Sequence, residues 1–283
     1  MSFSPRVYLI DNGSLRPDAT FSLRKLANDL SERVGICVEP VSLLHSNKIP
    51  EAALGGIPAR TIRSTMRIAL ESGIRDILCL PLFLGPSRAI TEYLPELIAE
   101  AKESFSDMRV VVADSLAGAD VDQPDCRLIE ILTRQVRLTC KEQHMDAPQV
   151  ALVDHGTPYR PVNELRNRVA ELLAQSLKGE VSAVVAASME RRDGAEYAFN
   201  EPLLERLSED NQCSSGELLC AMFFLLPGRH AGAGGDVNEI CDTMIEKGSF
   251  KRIERTPLIG EDSALLEILA DRYSDALLAF DLK

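Results

Sequence analysis

The sequence predicts an α/β protein of two similar lobes, each a parallel sheet flanked by helices in a three-layer, Rossmann-like arrangement, with a cleft between them. Three observations point there. Val-, Ile- and Leu-rich runs are continuous rather than alternating, which suits strands buried on both faces of a parallel sheet. Helix-period patterns fall between these runs, as right-handed βαβ units require. The whole pattern occurs twice along 283 residues, a length that suits two domains of ordinary size.

In chain order, the first half reads as strands near Val7–Ile10, Ile36–Leu44, Ile77–Leu84 and Val110–Ala113. Leu23, Leu26, Leu30 and Val34 recur at spacings of three and four, so a helix follows the first strand. Further helical stretches fall at 60–72, 92–105 and 126–139. The second half repeats the order, with strands near Val150–Val153, Val181–Ala187, Leu218–Leu226 and Arg252–Leu258. Its helices read from Val162, Leu165, Val169 and Leu172, then at 197–209, 237–247 and 263–279.

The halves are related in sequence. Val7 to Pro17 aligns with Val150 to Arg160 at an offset of 143, which sets Asn12 against His155. Leu78 to Ala89 aligns with Leu219 to His230 at an offset of 141, which sets Ala89 against His230. Each half ends in a similar segment, Asp125 to Gln135 and Asp262 to Arg272. An internal duplication accounts for this. The polar segment Lys141–Gln149 is the expected boundary, giving domains 1–145 and 146–283.

Composition excludes several classes. The chain carries 31 Lys+Arg against 43 Asp+Glu, a net charge of −12, so it lacks the cationic surface that nucleic acid or an anionic membrane requires. It has no Trp and 5% aromatics, which disfavours a base-stacking platform. The longest apolar run, Ile77 to Leu84, is too short to span a bilayer, and the N-terminal stretch shows no signal peptide. Seven Cys without a CxxC support neither a disulfide framework nor a thiolate cluster; buried thiols in a reducing cytoplasm are expected. No GxGxxG, P-loop or GxSxG occurs, and Asp154 stands where a histidine phosphatase needs Arg.

Chemistry in such sheets gathers beyond the carboxyl ends of the strands. His155, Glu190 and His230 each follow a strand of the second half. Two imidazoles and a carboxylate suit a borderline divalent metal, or proton removal near neutral pH. His45 follows the second strand of the first half and stands as a counterpart of Glu190, but Asn12 and Ala89 leave it without His partners. His144 lies in the expected linker and reads as solvated. The loop Gly228-Arg229-His230-Ala231-Gly232 is rich in small residues that let a flat ligand approach the backbone.

At these residues the sequence resembles the class II chelatases, the CbiX-like sirohydrochlorin cobaltochelatase and ferrochelatase family, in their long, internally duplicated form. The family's His-Gly-Ser with a following Asn is matched by His155-Gly156-Thr157 and Asn163. Its Glu after an apolar strand is matched by Ser188-Met189-Glu190, and its Gly-Gly-His turn by Gly228-Arg229-His230. Thr157 replaces Ser and Arg229 replaces Gly. The family's Asp, four positions after the His, has its best match in Asp236, six away.

The resemblance implies insertion of Co2+, Fe2+ or Ni2+ into a tetrapyrrole such as sirohydrochlorin, in cobalamin or siroheme biosynthesis, with no cofactor besides the metal substrate. His155, Glu190 and His230 are then the catalytic and metal-binding residues, and Gly156, Thr157, Asn163, Gly228 and Arg229 the substrate-binding ones. Neutral imidazoles are needed, so activity should fall at acid pH. Arg160, Arg191, Arg192 and Arg229 are the nearby cations that could offset substrate carboxylates. A cytoplasmic monomer working as an internal pseudo-dimer is expected, with a homodimer as the alternative. A non-catalytic tetrapyrrole- or metal-binding protein derived from a chelatase is the competing function, and a hydrolase using the same His pair the third.

Overall fold

The computed structural model describes residues 5–209 and 216–281. The first four residues of the stretch read for a signal peptide lie outside them.

All eight expected strands form. The first sheet comprises β1 (Arg6–Asp11), β2 (Val38–Ser42), β3 (Asp76–Pro81) and β4 (Arg109–Val112), in the order β2-β1-β3-β4 and parallel throughout. The second comprises β5 (Gln149–Asp154), β6 (Ala183–Ser188), β7 (Glu217–Met222) and β8 (Arg252–Arg255), in the order β6-β5-β7-β8, again parallel. The central strands explain the continuous apolar runs: every residue of β5 is buried, and in β1, β3 and β7 all but the first.

The helices are α1 (Pro17–Val34), α2 (Ile62–Glu71), α3 (Leu94–Ser104), α4 (Cys126–Glu142), α5 (Arg160–Ser176), α6 (Asp236–Glu246) and α7 (Ala264–Asp281). Proline in the first turn starts α1 and α5, where its missing N–H is harmless. The helix expected at 197–209 is instead two 3₁₀ turns, Ala195–Asn200 and Leu204–Glu209. Pro202 sits between them, and a proline inside a helix removes a hydrogen bond and clashes with the preceding turn.

The compact units divide differently from the sequence halves 1–145 and 146–283. One comprises Met1–Ala119 with Ser263–Lys283, the other Asp120–Asp262. The last helix of each repeat therefore serves the other repeat's sheet. In the first unit α7 packs on α1, β3 and β4, and Arg272 donates to the carbonyls of Ser115 (2.9 Å) and Leu116 (3.0 Å). In the second, α4 packs on α5 and β7, and Gln135 donates to the Leu258 carbonyl at 3.1 Å. Ser115 and Leu258 are equivalent positions of the repeat, so the exchange is reciprocal.

Strand order reverses between β1 and β3 in one unit and between β5 and β7 in the other. Ligand sites of open parallel sheets form at such switch points, beyond the strand ends.

Candidate functional site

His155 is the first residue after β5, and His230 lies in the loop leaving β7, so the two flank the switch point of the second unit. Their rings meet edge to face with centroids 4.4 Å apart. Glu190, two residues beyond β6, places Oε1 3.5 Å from His155 Nε2. The structure thus brings His155, Glu190 and His230 together, with His155 and Glu190 exposed and His230 half-buried.

The tautomer of His230 follows from its partner. His230 Nδ1 lies 2.7 Å from Asp236 Oδ2. A carboxylate only accepts, so Nδ1 carries the proton and Nε2 keeps its lone pair. His155 Nδ1 lies 3.0 Å from the Gly156 carbonyl and its Nε2 faces the Glu190 carboxylate, so both ring nitrogens of His155 meet acceptors. Asp236 is the first residue of α6, and it reaches His230 across the loop Ala231–Gly235. Carboxylate support behind an imidazole is the usual outer-shell arrangement of a metal-ligating His. Among the described residues, no three His, Cys, Asp or Glu side chains stand already arranged around a metal position.

The turn after β5 is built by close approach. Gly156 has φ +88°, and a Cβ there would lie 1.8 Å from the Glu190 carbonyl. Only glycine lets the two loops come so near. The Thr157 hydroxyl accepts from the Tyr159 amide (3.0 Å), and the Thr157 amide donates to Asn200 Oδ1 (3.0 Å). Asn163 is buried, with Oδ1 accepting from Asn167 and Nδ2 without a protein partner. It stands inside the lobe rather than on a ligand-facing surface. Gly228 is half-buried, and Arg229 is exposed with Nε 3.6 Å from Asp236 Oδ2.

The other neighbouring cations have local partners. Arg191 pairs with Glu201 at 2.7 Å, Arg160 lies 4.7 Å over the Phe199 ring, and Arg192 sits 6.0 Å from the Tyr197 ring. His144 is exposed.

The first unit repeats this architecture without the imidazoles. Leu44 N–H donates to the Asn12 carbonyl as Glu190 N–H does to that of His155. Gly13, with φ +93°, is held 1.8 Å (from an ideal Cβ) off the Leu44 carbonyl. The counterpart of Glu190 is therefore Leu44, not His45, which falls one residue later and matches Arg191. Proximity to the strand end points to His45; only the register of these backbone bonds sets Leu44 there.

Residues behind the site were missed in the sequence. Asp154 Oδ1 accepts from Ser188 Oγ (2.7 Å) and from the Gly156 amide (3.1 Å). Arg166, 1% exposed, donates to Ser188 Oγ at 3.0 Å and lies 3.6 Å from Asp154 Oδ1. Burial pushes the Asp154 carboxyl up and Arg166 down, each opposed by the other's charge. In the first unit Asp11 keeps the Ser42 and Gly13 hydrogen bonds, has no partner on Oδ1, and is pushed up by burial to about 6. An Arg in mid-helix at an otherwise apolar core position was the available signal.

Paired four-stranded parallel units, with this turn at the end of each first strand, define a chelatase-type α/β protein. Residues 6–121 match the CbiX family. The matched segment is the one with Asn12, Leu44 and Ala89 in place of the site residues. No curated protein matches the chain. Among solved structures, the chain is similar to SirB from Bacillus subtilis with Fe3+, at 15% identity and TM-score 0.67, covering 97% of this chain and 96% of that one. It is similar to the sirohydrochlorin chelatase SirB from Bacillus subtilis subspecies spizizenii in complex with cobalt, at 14% identity and TM-score 0.66, covering 97% and 95%. It is also similar to CbiX described as the terminal enzyme for siroheme biosynthesis in denitrifying bacteria, at 15% identity and TM-score 0.59, covering 96% and 99%. At such identities these likenesses establish the fold. No described helix is long and apolar enough to cross a membrane.

Proposed function

We propose that this protein inserts a divalent metal, Co2+ or Fe2+, into a tetrapyrrole of the sirohydrochlorin class. The observation that carries the reading is the pair of imidazoles in ring contact at 4.4 Å, with a carboxylate 3.5 Å from the Nε2 of one of them. The CbiX match over residues 6–121 and the metals named with the two SirB structures support it.

Insertion exchanges two pyrrole protons for one M2+ and strips the metal of water. Pyrrole N–H is a weak acid, so a positioned base and a metal delivered beside it both lower the barrier. His155 and His230 are assigned to hold the metal through Nε2 and, once it has passed to the ring, to take up at the vacated Nε2 the two protons it displaces. Glu190 completes the metal's coordination or relays a proton to solvent. Asp236 holds His230 in the required tautomer and raises its ligand strength. Gly156 and Gly228 leave room for the macrocycle, and Arg229 meets a ring carboxylate. Asn163 supports the turn from within. The protein acts in the aqueous phase with metal and tetrapyrrole as its partners.

One observation favours a non-catalytic binder instead. Arg229 lies 3.6 Å from the same Asp236 oxygen that holds His230, and so competes for the outer-shell carboxylate. Absorbance spectra of purified protein with sirohydrochlorin and Co2+ decide. The chelatase reading expects the spectral shift of the metallated ring at a rate above the uncatalysed one. Tetrapyrrole binding at only the uncatalysed rate would establish the binder.

A further inference from the structure

Arg166 is a buried cation with no part in the chemistry above. It lies on α5 beneath the turn that presents His155, and its Nε has no partner. Its Nη1 holds Ser188, and Ser188 holds Asp154 Oδ1, which also takes the Gly156 amide. Asp154 immediately precedes His155, and Ser188 stands two residues before Glu190. The three side chains therefore knot the ends of β5 and β6 where the two site residues leave them.

The first lobe makes the same turn without the cation. The buried faces of α1 and α5 correspond at the repeat offset of 143: Thr20 with Asn163, Leu23 with Arg166, Leu26 with Val169, Leu30 with Leu173. Leu23 fills the position, Asp11 and Ser42 remain, and Gly13 still packs on Leu44. The fold thus closes this turn around a leucine. Burying an incompletely bonded guanidinium is costly, and its carboxylate partner offsets the cost only partly. The lobe that carries this cost is the one with His155 and Glu190.

We propose that Arg166 is a positioning residue of the metal site: holding Ser188 and Asp154 from below, it fixes the separation of the His155 imidazole and the Glu190 carboxylate. It touches neither metal nor tetrapyrrole. Its consequence for catalysis rests on the chelatase reading; the positioning itself rests on the knot and on its leucine counterpart.

The test compares the wild type with Arg166→Leu, the first lobe's own residue, and with Ser188→Ala, which cuts the knot without removing the cation. Two readouts are taken beside thermal stability: the 15N-edited imidazole resonances of His155, and Co2+ affinity from the visible absorption of the bound ion. Arg166→Leu should unfold cooperatively, shift and broaden the His155 signals, and weaken Co2+ binding about 10–100-fold, as loss of outer-shell support does. Ser188→Ala should act in the same direction. Wild-type His155 resonances and wild-type Co2+ affinity in Arg166→Leu would overturn the proposal, whatever its melting temperature. If that variant does not fold, the same outcome in Ser188→Ala overturns it. If the wild type binds no Co2+, the imidazole resonances decide alone. A wild type that binds Co2+ but inserts none removes the chelatase reading and leaves the positioning role standing.

Discussion

At the carboxyl end of its first strand, one lobe carries Asp11-Asn12-Gly13-Ser14 and the other Asp154-His155-Gly156-Thr157. The backbone is the same in both: a left-handed glycine pressed on the neighbouring loop, and a buried aspartate beneath it. What differs is the chemistry hung on that backbone. The second lobe has His155, Glu190 and His230 above the turn and Arg166 below; the first has Asn12, Leu44 and Ala89 above and Leu23 below. A duplicated fold tolerates loss of the site because the site contributes little to the core. The buried aspartate is retained in both lobes because it caps the turn. Its electrostatic setting differs, since only Asp154 has a cation within reach.

The sharpest break of this comparison is catalytic. His155→Ala or His230→Ala should lower the enzyme-dependent insertion rate on the order of 10²–10⁴-fold, the range for a lost acid–base group. Asn12→Ala should leave it within about twofold, as an exposed substitution outside the machinery does. Equal effects in both lobes would mean that the first lobe also reacts.

Next come the two aspartates. Asp154→Asn leaves the Arg166 charge buried and unpaired, and should cost about 3–5 kcal/mol in urea unfolding at neutral pH. Asp11→Asn should do the reverse. Burial raises the Asp11 carboxyl from its ordinary value of 3.8 to about 6. Between these values the folded state holds a proton that the unfolded state has released. The stability linked to protonated Asp11 is thus fully present below the lower value and lost as pH rises through the upper one. Relative to the wild type, Asp11→Asn should therefore gain about 3 kcal/mol between roughly pH 4 and pH 7. A flat difference across that range would show that Asp11 is not the buried acid described here.

The smallest expected effect lies behind His230. Asp236→Asn should weaken Co2+ binding about tenfold, the lower end for an outer-shell partner, with little change in stability. A larger loss would mean that Asp236 itself contacts the metal.

Much of this was readable from the chain. Continuous apolar runs gave every strand, because a parallel strand buried on both faces has no polar side to alternate. The two offsets of the repeat paired Asn12 with His155 and Ala89 with His230, and the strand ends marked where His155, Glu190 and His230 would stand. The helix expected at 197–209 failed because apolar spacing outvoted Pro202. His45 was misaligned because a one-residue shift after a strand leaves no trace in hydropathy. Arg166 went unnoticed because a lone charge on an amphipathic helix is normally solvated, and its burial depends on which face of α5 meets the sheet.

The sequence by itself determined the class, the duplication and the three residues at the strand ends, since all follow from local periodicity and self-similarity. Tertiary structure alone decided that α4 and α7 change places, that Asp236 reaches His230 across the loop Ala231–Gly235, and that Arg166 sits beneath His155. Each depends on which non-local surfaces meet, and side-chain type along the chain encodes a preference for burial without naming the partner.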